Sequence, residues 1–494
     1  MKPKPASHRS APVVAIFAIT AALMLAPGCS GSGSEAAAKT RSAAAAERSG
    51  AVVSDGESGT AVGLSGGESA EDSGRVPEAF SVRDRIPIKV LYFDTETEDN
   101  TRWLSVAVAH FERTHPTVKV LLSPVYGNET DYANRLQLSL KSDPSIDVIL
   151  FDGARLRSFI HSGYLVGFMA DTWPDWISRF PGKTKETVGY NGLDWAMPVS
   201  LEVQGLFYNA NAFRRAGIPV PWHPDSWEDV AKAARALKGI TEYPLWVPGS
   251  SAQSESTTLQ TFGTLLSGTG DWMYENGKWI TASQGMLDSL RFLYGLYQTD
   301  SIEDNLARSV MLSRHTIDTL ARKLNAGEIG MLLHSCRLGP AIQRTTGDYE
   351  KTILVTPMPR KNGGPTSVTG SWMLGISNLS ANKFISFEFL KSALSPEVQT
   401  VSCTLRGDIP VRRDVEAAES WRTDNFYASS MSDYLYFSRF RPEGAEYPQL
   451  SHLISIAVES VITGTRTPET AMAEFAKAAS LIIGESRREE KPYR

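Results

Sequence analysis

The chain has 494 residues, a formal net charge of -5 and only three cysteines. That balance excludes the basic surplus of a nucleic-acid binder and the cysteine density of a disulfide scaffold. The part that can fold, about 410 residues, is too long for one ordinary core and predicts two lobes.

Lys2, Lys4 and Arg9 precede an apolar run from Ala11 to Ala26. A membrane-spanning helix needs about 20 apolar residues, so this run reads as an export signal over residues 1–28. Ala26, Pro27 and Gly28 directly before Cys29 resemble a bacterial lipobox, although Leu25 lies four residues before the cysteine rather than three. The resemblance implies cleavage before Cys29, a diacylglycerol on its thiol, and anchorage to the extracytoplasmic face of the cell membrane; the alternative is a secreted protein cleaved at a small-residue site. From Ser30 to about Pro77 the chain is Gly, Ser, Ala and Glu with almost no apolar bulk. Burial cannot offset the ordering entropy there, so residues 29–84 are expected to be a disordered tether with an end-to-end distance of about 35–40 Å. Cys336 and Cys403 could pair in an oxidising compartment, but the preferred reading is two small buried side chains.

The folded part opens with "IPIKVLYFD", in which Ile86, Ile88, Val90 and Tyr92 alternate with residues that also become apolar, as in a buried strand. Leu104, Val108 and Phe111 then fall at helical spacing, with Pro116 as a stop. "TVKVLL" reads as a strand, "DYANRLQLSLKSD" as a helix, "SIDVILFD" as a strand and "ARLRSFIHSG" as a helix. This alternation predicts a parallel sheet, and ligands of such sheets bind beyond the carboxyl ends of the strands. A second run follows: the strand "VQGLFYN", a short helix ending at Gly217, and a helix opened by a capping box of Ser226 and Asp229 and closed by Gly239.

Within the part that can fold, no G-x-S-x-G elbow, H-E-x-x-H pair, C-x-x-C pair or phosphate-cradling glycine loop occurs, and the eight histidines of the chain lack ligand spacing. Neither a metal nor a cofactor is expected, and the chain reads as a binder rather than an enzyme. Asp94 and Asp152 could be a glycosidase pair only if their separation suited it.

Five stretches in order resemble the extracellular solute-binding proteins, the family that includes maltose-binding protein and other sugar receptors of ABC importers. They are "AHFERTHPTVKV" with "SIDVILFD"; "GYLVGF"; "LDWAMPVSLEVQGLFYNANAFRRAGIPVPWHPDSWED"; "LNAGEIGMLLHSCRLGPAI"; and "VTPMPRKNGGPTSVTGSWMLGISNLSANKFISFEFLKSALSPEVQ". Two departures stand out. Ser226 replaces a usual Thr, which preserves the cap, and "SCRLG" stands where many members have a Trp, which places Arg337 there. The resemblance implies an α/β, two-lobed, type II periplasmic-binding-protein-like fold, each lobe a central sheet flanked by helices, with a hinge of several crossings. By that analogy residues 85–198 and 316–360 form lobe one, residues 199–315 and 361–494 form lobe two, and the crossings fall near "AMPVS", "SRHT" and "RKNGGPT". It also implies a monomer that closes on a small solute, a sugar first, and hands it to the transmembrane subunits of an ABC permease.

A sugar offers apolar CH faces and many hydroxyls, so its cleft should combine aromatic platforms with charged hydrogen-bonding groups. Trp372, just past a crossing, is the first aromatic candidate, followed by Trp195 and Trp246; core packing is the competing role for each. Asp94 and Asp152 close strands, Glu202 follows the first crossing, Arg337 follows the returning strand, and Tyr126 lies beyond the second strand. Helix capping or a salt bridge competes for these. Rival solutes on the same fold are a peptide, a polyamine, a siderophore or an anion, and a sensor role is the rival to transport.

Overall fold

A computed structural model describes residues 85–494 except 96, 128 and 443. Cys29, the expected signal peptide and the whole of the expected tether lie outside the described residues. Ten strands form one extended sheet system: β1 (Ile86–Asp94), β2 (Val118–Tyr126), β3 (Val148–Asp152), β4 (Met197–Asn209), β5 (Tyr243–Trp246), β6 (Ile329–Ser335), β7 (Ile353–Thr356), β8 (Met358–Pro359), β9 (Pro365–Ile376) and β10 (Ser438–Phe440). The hydrogen-bonded path runs β2-β1-β3-β9-β4-β6-β5.

The predicted alternation appears at the start. β1 pairs in parallel with both β2 and β3, and the intervening helices α1 (Asp99–Thr114) and α2 (Glu129–Ser142) connect them. Leu104 and Phe111 of α1 are fully buried, and Phe111 meets Phe389 edge-on at 5.4 Å. That contact docks α1 on α4 (Lys383–Ala393), which is followed by α5 (Pro396–Arg406). One lobe is thus built on β1–β3 and the other on β5, β6 and β7.

The lobes meet through two long strands. All thirteen residues of β4 are buried. Its first part, Met197–Val203, pairs antiparallel with β9, and its second part pairs with β6 and β7. β9 begins beside β8 and β10, pairs with β4 over Thr369–Leu374, and ends with Trp372–Ile376 beside β3. The crossings are therefore made inside strands.

This corrects the expected division. The segment 316–360 carries β6, which lies in parallel beside β5, not beside β1–β3. The segment after 361 returns to β3 and, through α4 and α5, to α1. The "RKNGGPT" connector is not a crossing: Gly363 and Gly364 take φ of 109° and 85°, and Arg360 N–H donates to the Gly364 carbonyl at 2.7 Å. It is the tight turn of the β8–β9 hairpin, a conformation that glycine adopts without strain. Cys336 and Cys403 are free, buried thiols.

The capping box is present at α3 (Trp227–Leu237), where the Asp229 carboxylate accepts from Ser226 N–H at 3.0 Å and from Ser226 Oγ at 3.0 Å. Ser226→Ala is expected to lower stability by about 1 kcal/mol and Ser226→Thr by less, read as the shift in a denaturant or thermal midpoint.

Candidate functional site

A cavity of about 1120 Å³ opens at the carboxyl ends of β1, β2 and β3 on one side and of β5 and β6 on the other. This is where parallel strands present ligands, because successive loops diverge there. Six of the eight residues singled out from sequence line it: Asp94, Tyr126, Asp152, Trp246, Arg337 and Trp372.

Trp372 lies at the end of the pairing between β9 and β3, directly opposite Asp152 on one side and Ser200 of β4 on the other. Opposite residues share a sheet face. Its indole stacks on Phe93 at 6.1 Å with an interplanar angle of 13°; both rings border the cavity, with only 5% of Trp372 and 7% of Phe93 exposed. Trp246 is nearly fully buried and meets His315 edge-on at 5.0 Å. Tyr126 is more than half exposed and donates its hydroxyl to Glu98 at 3.1 Å.

Asp94 lines the cavity but its carboxylate serves a helix. It accepts from Thr95 N–H at 2.9 Å, Asn100 N–H at 3.3 Å, Thr101 N–H at 2.8 Å and Thr101 Oγ1 at 2.6 Å. Those are the unpaired donors at the start of α1, so the competing capping role holds for this residue.

Trp195 and Glu202 do not line the cavity. The Trp195 indole N–H donates to the Tyr190 carbonyl at 2.9 Å, which fixes the ring against the small hairpin preceding β4. Glu202 is 8% exposed and lies under the cavity floor, where it faces Arg441 at 3.4 Å. Burial pushes its carboxyl pKa up, against the pull of Arg337 and Arg441.

Arg441 is the residue that local pattern could not reveal, since it lies in an irregular segment just past β10. Its guanidinium is ion-paired to Asp152, to Glu202 at 3.4 Å and to Glu255 at 3.6 Å. Burial alone would lower its pKa; Asp152 and Glu255 foremost among the carboxylates hold it above its ordinary value. Glu255 also accepts from Tyr447 Oη at 2.7 Å and Ser451 Oγ at 2.6 Å, both on α6 (Tyr447–Ile462). A second cluster lies nearby: Asp408 is shared by Arg406 at 2.8 Å and Arg337 at 3.4 Å, and Arg406 donates to Ser200 Oγ at 2.9 Å. Among the described residues no group of three or more His, Cys, Asp and Glu side chains could hold a metal ion.

Gly370 of β9 makes room for the Arg441 cluster. A Cβ there would lie 2.5 Å from Arg441 Nη2 and 2.6 Å from Glu202 Oε1. Gly370→Ala is therefore expected to displace the ion pair and lower stability by about 1–3 kcal/mol in denaturant titrations. His334 of β6 lines the cavity, and burial pushes its pKa down to about 4 from 6.5. A depressed histidine contributes full stability above its unfolded pKa and loses it as pH falls from 6.5 through 4. His334→Gln should flatten the stability slope in that window, measured by denaturant titration at stepped pH, and leave the slope above pH 7 unchanged.

Residues 94–400 match the profile of the bacterial extracellular solute-binding protein family. A Brucella abortus protein that carries a binding-protein name is 20% identical over 367 residues, 71% of this chain and 82% of its own length. Maltose-bound MalE3 from T. maritima superposes with a TM-score of 0.70 at 18% identity, covering 80% of this chain and 100% of that one. An ABC-transporter solute-binding protein of Thermotoga lettingae bound to α-D-tagatose gives 0.69 at 21% identity, covering 81% and 100%. With a profile match running from the end of β1 to α5 and a two-lobed fold to go with it, the chain belongs to the bacterial extracellular solute-binding protein family.

Proposed function

We propose that this protein is the substrate-binding component of an ABC importer, capturing an extracellular mono- or oligosaccharide in the cavity and delivering it to the permease. The observation that carries this is the cavity wall itself. A stacked Trp372–Phe93 pair suited to apolar sugar faces stands beside the ionised hydrogen-bonding groups Asp152 and Arg337. Support also comes from two structural neighbours, which hold maltose and tagatose. The volume of about 1120 Å³ exceeds the roughly 300–1,000 Å³ usual for small-molecule pockets, which leaves room for more than one ring.

Groups from both lobes face the same space, so a solute touching all of them stabilises the closed arrangement over any open one. β4 and β9 provide the connections about which that closure would turn. Export and an acylated Cys29 would keep the protein at the outer face of the membrane, within reach of the permease. Catalysis is no part of the proposal: the Asp94 carboxylate is occupied by the start of α1, and Asp152 is ion-paired to Arg441. Neither is placed as a free general acid.

A thermal-shift screen against neutral and acidic saccharides tests the reading, because ligand at 100 times its Kd stabilises the native state by about 2.7 kcal/mol. The sugar should be recovered unchanged, and scattering should show compaction on binding. Trp372→Ala should weaken binding at least tenfold, about 1.4 kcal/mol, and Trp372→Phe should weaken it less. A screen in which no saccharide shifts the midpoint would rule out the sugar reading.

A further inference from the structure

Charge in the cavity wall is not evenly free. Among the described residues five carboxylates line the cavity: Asp94, Asp99, Asp152, Glu255 and Asp318. Each is engaged inside the protein. Asp94 serves the start of α1, Asp99 accepts from Thr97 Oγ1 at 2.8 Å, Asp152 and Glu255 face Arg441, and Asp318 pairs with Arg344 at 2.7 Å.

Six arginines line the same wall: Arg155, Arg314, Arg322, Arg337, Arg344 and Arg406. Arg337 and Arg406 share one carboxylate, Asp408. Arg314 donates from Nε only to the Ala252 carbonyl, at 2.6 Å, and Arg322 only to Asp318 O and Thr319 Oγ1. Among the described residues neither has a carboxylate within ion-pair distance. The Arg155 side chain has no hydrogen bond or ion pair to any described residue, yet it lies on the 3-10 turn directly after β3, three residues from Asp152. Among the described residues the cavity wall therefore holds three guanidinium groups with no carboxylate partner, Arg155 half-buried and Arg314 and Arg322 exposed, while each lining carboxylate is engaged within the protein.

We infer that the solute is an anionic saccharide, whose carboxylate or phosphate is received by Arg155 and the arginines at the cavity mouth while its ring stacks on Trp372. This rests on the sugar reading above and narrows it. Guanidinium donors match the planar carboxylate and the phosphate alike and keep their charge at any physiological pH. A cavity wall with unneutralised cations also raises the local concentration of anionic solutes and speeds their capture, an effect that salt weakens. A neutral sugar would leave these guanidinium groups without an ionic partner in a closed cleft.

The test uses the whole chain and saccharides in matched pairs: galacturonate with galactose, glucuronate with glucose, glucose 6-phosphate with glucose, and di- or trigalacturonate with the neutral galactose oligomer. Calorimetry should show at least one acidic member binding tenfold or more tighter than its neutral parent, with that preference shrinking between 20 mM and 500 mM salt. The pair that responds identifies the anion as carboxylate or phosphate. In Arg155→Ala the acidic member should lose at least fivefold while the neutral parent changes less than twofold. The variant should melt as the wild type does, since the Arg155 side chain has no partner among the described residues. A neutral sugar binding as tightly as its acidic counterpart, or an Arg155→Ala variant that weakens both equally, would overturn the inference and leave the sugar reading standing. Failure of every saccharide, acidic and neutral, would overturn both.

Discussion

A guanidinium removed from water costs several kcal/mol unless charges and hydrogen bonds replace its hydration. Arg441 meets that condition with three carboxylates drawn from three separate parts of the chain. Asp152 ends β3 in one lobe, Glu202 sits on the shared strand β4, and Glu255 lies in the other lobe, where α6 holds it through Tyr447 and Ser451. Withdrawing any partner from such a cluster leaves a buried charge short of compensation, which costs about 3–5 kcal/mol in comparable cases. The cation therefore ties the floor of the cavity to both lobes at once. It also sets the electrostatic background: Asp152 reaches the cavity already neutralised, and burial keeps the Glu255 and Glu202 carboxyls readier to hold a proton.

That cluster works only because β4 and β9 are long and continuous. Each is buried along nearly its whole length; β4 pairs with β9 at one end and with β6 and β7 at the other, and β9 runs from β8 and β10 past β4 to β3. In mutual hydrogen bonds at 2.9 Å, Gln204 N–H donates to Ser367 Oγ and Ser367 Oγ donates to the Gln204 carbonyl, clasping the two strands near the point where β4 passes from one partner to the next. Gly370 and Gly205 both lie at this crossing. A Cβ on Gly205 would come within 2.7 Å of the Met431 methyl, just as one on Gly370 would strike Arg441. The absent side chains make space for what packs against the crossing.

Local period and turn chemistry carry much of this fold. The alternating run of β1, the apolar stripe of α1 and the Ser226–Asp229 box depend on residues within a few positions of one another, and each element forms where its pattern says. Strand ends were readable for the same reason, which is why Asp152 falls in the cavity wall; Trp372 reaches it from inside β9, although the crossing expected just before it is a hairpin turn. What could not be read is what the chain brings together from afar. The placement of β6 beside β5 and of Trp372 beside Asp152 is a pairing choice across more than eighty residues, and no local period distinguishes it from the reverse. Arg441 belongs to an irregular segment, so nothing near it in sequence marked it as the partner of acids 186 to 289 positions away. The strand-end rule also does not separate an acid that faces a ligand from one that caps the following helix, which is how Asp94 and Asp152 came to differ.

That difference has a consequence for recognition. A carboxylate bonded to backbone amides is fixed in place and has little acceptor capacity left, so Asp94 shapes the cavity wall more than it offers binding strength. Asp152 is held from beneath by Arg441, with its Oδ1 accepting from Ala154 N–H at 2.8 Å. A hydroxyl reaching its remaining lone pairs meets an acceptor whose position is set and whose charge is already balanced, so little reorganisation is needed when the solute arrives. The guanidinium groups on the opposite terms, Arg155 above all, are unbalanced until a ligand comes. If the solute is the anionic saccharide proposed above, the satisfied acids would orient it and the unpaired cations would supply the selectivity.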